Sequence, residues 1–181
     1  MGLAGMPDES GALTGTLLAF DFGHRRIGVA VGQTVTGSAN ALAVVAVSNQ
    51  PDWQTITNIV REWKPVALIV GLPLAADGSE TDMSKDARGF GTAMVERFAI
   101  PVLFEDERLT SIGADERFSA ARAQGGMRRK DAAMKDAMAA QIILENWLSA
   151  HAGGTLRGLM KACDQKNAPR RKRANSAGRC K

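Results

Sequence analysis

Thr16-Leu17-Leu18-Ala19-Phe20-Asp21-Phe22, then Gly23-His24-Arg25-Arg26, then Ile27-Gly28-Val29-Ala30-Val31-Gly32, is the stretch that decides the fold. Two short apolar runs joined by a four-residue link read as two strands of a hairpin. In the first strand Leu17, Ala19 and Asp21 share one face, and Leu18, Phe20 and Phe22 share the other. Both faces are apolar, which predicts a central strand covered on both sides. Asp21 does not belong in such a strand: Asp is a poor strand former and costly to bury without a partner. Either it caps the turn at Gly23, or it is a carboxylate held at the sheet edge for metal binding or catalysis.

Outward from the hairpin, the Val-rich run Ala41 to Val47 suits a third strand. The period then changes. Trp53, Ile56, Ile59, Val60 and Trp63 recur at helical spacing, with Asp52 as N-cap and Pro65 as the stop. Val66 to Val70 is a continuous apolar run, ended by Gly71-Leu72-Pro73, and reads as a strand covered on both faces. A helix from Asp82 to Phe98 follows, then the strand Val102 to Glu107. Thr110 or Ser111 caps a helix running to Ala123, and a last helix runs from Asp131 to Ala150. The order β-β-β-α-β-α-β-α-α predicts an α/β fold with a mixed five-stranded sheet and helices on both faces. Right-handed crossovers would set the later strands parallel to the first.

The chain has 181 residues, 45% hydrophobic and 5% aromatic. That supports one packed domain with some surplus and excludes wholesale disorder. No apolar run is long enough to cross a bilayer, and the N-terminus has no basic and apolar pattern of a secretory signal. Residues 1–15 read as a flexible leader, 16–152 as the folded domain and 153–181 as a basic, disordered tail. The tail carries nine Lys and Arg against one Asp, so the formal net charge of +4 belongs to it. The body, with fourteen basic and eighteen acidic residues, is mildly acidic. An electrostatic, sequence-independent affinity for RNA is therefore expected of the tail. Cys163 and Cys180 both lie there and make no disulfide framework, so a reducing cytoplasm is the default.

Two further carboxylate sites stand out. The fifth strand ends Glu105-Asp106-Glu107-Arg108, three adjacent acids that repel one another unless cations compensate. In the last helix Asp136, Ala140, Ile143 and Trp147 fall on one stripe, which puts a carboxylate on the core-facing side. Pairing with Lys130 or Arg108 is the plain explanation for Asp136. The alternative is that acids from three distant elements converge around a divalent cation. Hard oxygen donors favour Mg²⁺ or Mn²⁺, and His24 and His151 have no ligand-spaced neighbours. Carboxylate-held Mg²⁺ typically serves phosphoryl chemistry.

These residues resemble the YqgF family of Holliday-junction-resolvase-like proteins. The resemblance is carried by Leu17 to Gly23 with Ile27 to Gly32, by Ile69 to Leu74 with Asp77-Gly78, by Asp106 to Ser111, and by Lys135-Asp136 leading into Ala139 to Glu145. Four motifs match in order, across Thr16 to Leu148. The family implies a ribonuclease H-like fold and a cytoplasmic nuclease maturing the 5′ end of precursor 16S rRNA. Carried over by motif, Asp21, Glu107 and Asp136 are the catalytic acids and metal ligands, with Asp106 as a fourth metal ligand. One departure stands: where many ribonuclease H-like enzymes carry an acid at the end of the fourth strand, this chain has Gly71-Leu72-Pro73.

Arg25, Arg26, Arg108, Arg128, Arg129 and Lys130 are the candidate phosphate-binding residues, with a solvated basic loop as the plain alternative. The expected partners are precursor 16S rRNA, branched or structured nucleic acid, and ribosomal particles. Low aromatic content predicts recognition of backbone and shape more than base stacking. Two rivals remain: a non-catalytic RNA-binding assembly factor on the same fold, and an actin-like or sugar-kinase-like ATPase. The second lacks another Asp-Gly phosphate loop, and Gly125-Gly126 is followed by no Gly-Lys-Ser/Thr.

Overall fold

The computed structural model describes residues 13–107 and 129–151, with the side chains of 129–133 left aside. The leader, the predicted helix after Thr110 and the basic tail lie outside the described residues, as do Arg108 and Arg128. Eight elements follow in order: β1 (Thr16–Phe22), β2 (Arg26–Gln33), β3 (Ser38–Ala46), α1 (Trp53–Trp63), β4 (Ala67–Leu72), α2 (Asp82–Phe98), β5 (Val102–Asp106) and α3 (Arg129–Ala150). The five strands form one mixed sheet in the order β3-β2-β1-β4-β5. β1 runs antiparallel to β2 and parallel to β4, and β4 runs parallel to β5. The sequence places most boundaries within a residue or two; β3 begins three residues before the predicted start.

The local signals act as their chemistry predicts. Asp52 caps α1 by accepting from the backbone N–H groups of Gln54 and Thr55, and Lys64 ends that helix in the left-handed region before Pro65. Thr81 and Ser84 form a reciprocal capping box at the start of α2. Ser84, fully buried, also donates its hydroxyl to the carbonyl of Pro73. That bond ties the loop after β4 to the helix it feeds.

β1 is central, and its two faces feed two cores. Leu18 and Phe20 join Ile27, Val29, Leu68 and Val70 beneath α1 and α2, where Phe20 and Phe22 both meet the ring of Phe90. Leu17 and Ala19 join Ala30, Ala67, Ile69 and Leu103 beneath Ala140, Ile143, Leu144 and Trp147 of α3. The second face is floored with small residues, so α3 lies very close to the sheet. At Gly32 a Cβ would stand 2.8 Å from the Ser38 carbonyl and 2.9 Å from Leu144 Cδ2.

Candidate active site

Asp21 sits near the C-terminal end of β1, on the α3 face with Leu17 and Ala19. Directly opposite it on β2 is Gly28. Phe20 pairs with Val70, and one step further along are Asp21 and Gly71; Gly71 in turn pairs with Glu105 on β5. The sheet therefore carries a row of Gly28, Asp21, Gly71 and Glu105, at the C-terminal ends of its parallel strands. Open α/β sheets bind their ligands at such ends.

The two glycines of that row seat the other acids. A Cβ on Gly28 would stand 1.8 Å from the backbone carbonyl oxygen of Asp136, so α3 rests there directly on the sheet. A Cβ on Gly71 would stand 2.2 Å from Oε1 of Glu107 and 2.6 Å from Cδ1 of Ile143. The carboxylate of Glu107 thus lies over the strand where the sequence offers no acid of its own.

The electrostatics agree with this proximity. Burial lifts the Asp21 carboxyl from its usual 3.8 to about 6, and the negative charge of Asp136 adds to the shift. Burial likewise lifts Glu107 from 4.5 to about 7, aided by the charges of Asp21 and Asp106. Asp136 acts on Asp21, and Asp21 acts on Glu107: the three expected acids share one electrostatic neighbourhood.

Asp136 finds its basic neighbour in Arg26, at the start of β2, with Nε 2.8 Å from Oδ2. The sequence points to Lys130 or Arg108 for this role, and the side chains of both lie outside the described residues. The contact is one of charge proximity, not a directed bond. Oδ2 is sealed from solvent yet accepts no hydrogen bond among the described residues.

The strand pleat sorts the two acids that lie within β5. Leu103 lies on the α3 face and Phe104 on the face of α1 and α2. Glu105 therefore joins Leu103 on the side of Asp21, while Asp106 follows Phe104 to the other side. Glu105 is also the one buried carboxylate of the strand. Alternation counted from Leu103 singles it out once the face that meets α3 is known. Arg25 and Arg26 are exposed on the β1–β2 hairpin.

Among the described residues no three His, Cys, Asp or Glu side chains are gathered closely enough to hold a metal ion as they stand. The donor set nonetheless suits a hard divalent cation. It offers carboxylate oxygens alone, two of them on carboxyls that resist ionisation without a compensating charge, and one buried oxygen without a hydrogen bond.

A mixed five-stranded sheet flanked by helices, with acids at the ends of its parallel strands, defines the ribonuclease H-like class. The family model described as "RuvX: Holliday junction resolvase" matches residues 15–150, and the chain belongs to that family, the YqgF family of the sequence reading. It is 46% identical over 145 residues to the "Putative pre-16S rRNA nuclease" of Xanthomonas euvesicatoria pv. vesicatoria, covering 78% of this chain and 94% of that protein. The protein of the same name in Xanthomonas campestris pv. campestris strain B100 is 46% identical over 151 residues, covering 82% of this chain and 97% of the relative. Among solved structures, Thermus thermophilus RuvC with a Holliday junction substrate matches at 16% identity and a TM-score of 0.48, over 76% of this chain and 96% of that one. The described residues contain no helix long and apolar enough to cross a membrane.

Proposed function

We propose that this chain is a cytoplasmic, metal-dependent nuclease that hydrolyses phosphodiester bonds at the 5′ end of precursor 16S rRNA. The observation that carries the reading is the shared neighbourhood of Asp21, Glu107 and Asp136 on a glycine floor at the ends of β1 and β4. The names borne by the Xanthomonas relatives supply the substrate.

Asp21, Glu107 and Asp136 would hold Mg²⁺ or Mn²⁺, whereas the strand pleat turns Asp106, the further ligand implied by the motif, to the other face. The cation, when bound, would polarise the scissile phosphate and lower the pKa of the attacking water. The chain's own residues do the rest. The glycine seats fix where the carboxylates stand. α3 closes one side of the site and keeps bulk water from its floor. Arg25 and Arg26 flank the row and bind phosphates on either side of the scissile bond. Arg108, Arg128, Arg129 and Lys130 extend that set, with structured or branched nucleic acid and ribosomal particles as the larger partners.

A second reading, a non-catalytic RNA-binding assembly factor, is favoured by the Arg26–Asp136 pair, which leaves one expected ligand already neutralised. Incubating a precursor 16S rRNA fragment with Mg²⁺ and either wild type or Asp21→Asn separates the two. The nuclease reading expects cleavage by wild type and its loss in the variant, with RNA binding retained. Equal cleavage by both, or binding without cleavage by wild type, would overturn it.

A further inference from the structure

We propose that Arg26 is a resident counter-cation: its guanidinium occupies the place beside Asp136 that a divalent cation takes, and it must withdraw before the site can load. The inference rests on the reading of Asp21, Glu107 and Asp136 as the ligand set.

The geometry of the pair carries it. Nε of Arg26 stands 2.8 Å from Oδ2 of Asp136, yet that oxygen accepts no hydrogen bond from any described residue. Arg–carboxylate pairs built for permanence present the planar fork along directed N–H···O bonds. Here charge is balanced without that directionality, as by a generic cation. The two partners also differ in anchorage. Asp136 is held from below, because its backbone carbonyl rests on Gly28. Arg26 is the first residue of β2, and its side chain is 45% exposed against 30% for Asp136.

The hairpin fixes only the backbone of Arg26. Val47 donates its N–H to the Arg25 carbonyl at 2.9 Å, and Arg26 pairs with Ala46 across β3. The guanidinium on its flexible stem is thus the mobile member of the pair, while the carboxylate stays in place. Mg²⁺ and Mn²⁺ compete for the same oxygen with a higher charge, at the cost of shedding water. The adjacent Arg25 is also exposed but makes no ion pair among the described residues. It therefore serves as an internal control for charge alone.

The test is calorimetric titration of Mn²⁺ into the full chain without RNA, comparing wild type with Arg26→Gln, Arg26→Lys, Arg25→Gln and Asp136→Asn. A partly exposed ion pair of this kind is worth roughly twofold to fivefold in an equilibrium constant. Arg26→Gln should tighten Mn²⁺ binding by about that factor. Arg26→Lys should return it towards wild type, and Arg25→Gln should change it less. The counter-cation role is overturned if Arg26→Gln binds Mn²⁺ no more tightly than wild type, or if Arg25→Gln tightens binding as much, since only the overall charge would then matter. Failure of wild type to bind Mn²⁺, or undiminished binding by Asp136→Asn, would overturn the ligand set and this role with it.

Discussion

The carboxylate of Glu107 rests over the bare Cα of Gly71, so closely that a methyl group there would stand 2.2 Å from Oε1. The fourth strand thus contributes an absence of side chain, and the acid that follows the fifth strand occupies the space. The nearest atoms, Glu107 Oε1 and Ile143 Cδ1, are the far ends of flexible side chains, so both can move aside. Gly71→Ala should therefore cost only about 1–2 kcal/mol of stability, as a small overpacking. Its effect on Mn²⁺ affinity and RNA cleavage should be far larger, because Glu107 is displaced. Urea unfolding beside a metal titration measures both; a variant that binds Mn²⁺ like wild type would contradict the seat.

Gly28 makes the contrasting case. A Cβ there meets backbone, the Asp136 carbonyl oxygen at 1.8 Å, and backbone of a long packed helix cannot swing away. Gly28→Ala should shift α3 off the sheet and cost more than about 3 kcal/mol, at the upper end of overpacking effects. Thermal melting of the purified variant checks this. Stability close to that of wild type would show that α3 does not lie on the sheet as described.

The pH dependence of the metal-free protein follows from two raised carboxyls. Asp21 titrates at about 6 and Glu107 at about 7 in the folded chain, above their usual 3.8 and 4.5. The folded state holds these protons more tightly than the unfolded one. Their contribution is fully present below the unfolded values and is lost as pH rises through about 6 and 7. Discounted for partial exposure, each group contributes on the order of 1–2 kcal/mol. Urea melts in EDTA should show stability from these groups falling between about pH 4 and pH 7, with Asp21→Asn flattening the fall. Added Mg²⁺ should restore stability more at pH 8 than at pH 5. Equal pH profiles for wild type and Asp21→Asn would contradict the assignment.

Ser84 tests the scaffold away from the acids. It is fully buried, completes the α2 capping box with Thr81 and donates to Pro73. Ser84→Ala leaves the Pro73 carbonyl without that donor and should cost about 1–2 kcal/mol. Chemical denaturation gives the number. Unchanged stability would mean that the loop after β4 is not held by this bond.

The sheet was legible because apolar runs and turn residues are local signals. Leu17 to Phe22 announces a central strand by having no polar face, and Asp52 and Pro65 bracket α1. Asp136 was legible as an anomaly on the stripe that buries Ala140, Ile143 and Trp147. Its partner was not. Arg26 lies 110 positions away in sequence, and no periodicity connects a hairpin to the last helix. The glycine seats were hidden for a related reason. Gly28 and Gly71 look like ordinary strand glycines until sheet register sets one opposite Asp21 and the other beside it. Glu105 was visible among the acids of β5, but its burial depends on which strand face meets α3.

The central claim is that Asp21, Glu107 and Asp136 hold one divalent cation site. Anomalous diffraction from a crystal soaked in Mn²⁺ tests it most directly. The account predicts a peak over the Gly28–Asp21–Gly71 row with carboxylate oxygens of all three acids at about 2.1–2.2 Å, and with the Arg26 side chain moved away from Asp136. A crystal at full Mn²⁺ occupancy elsewhere, or with no peak over that row and Arg26 still against Asp136, would contradict it.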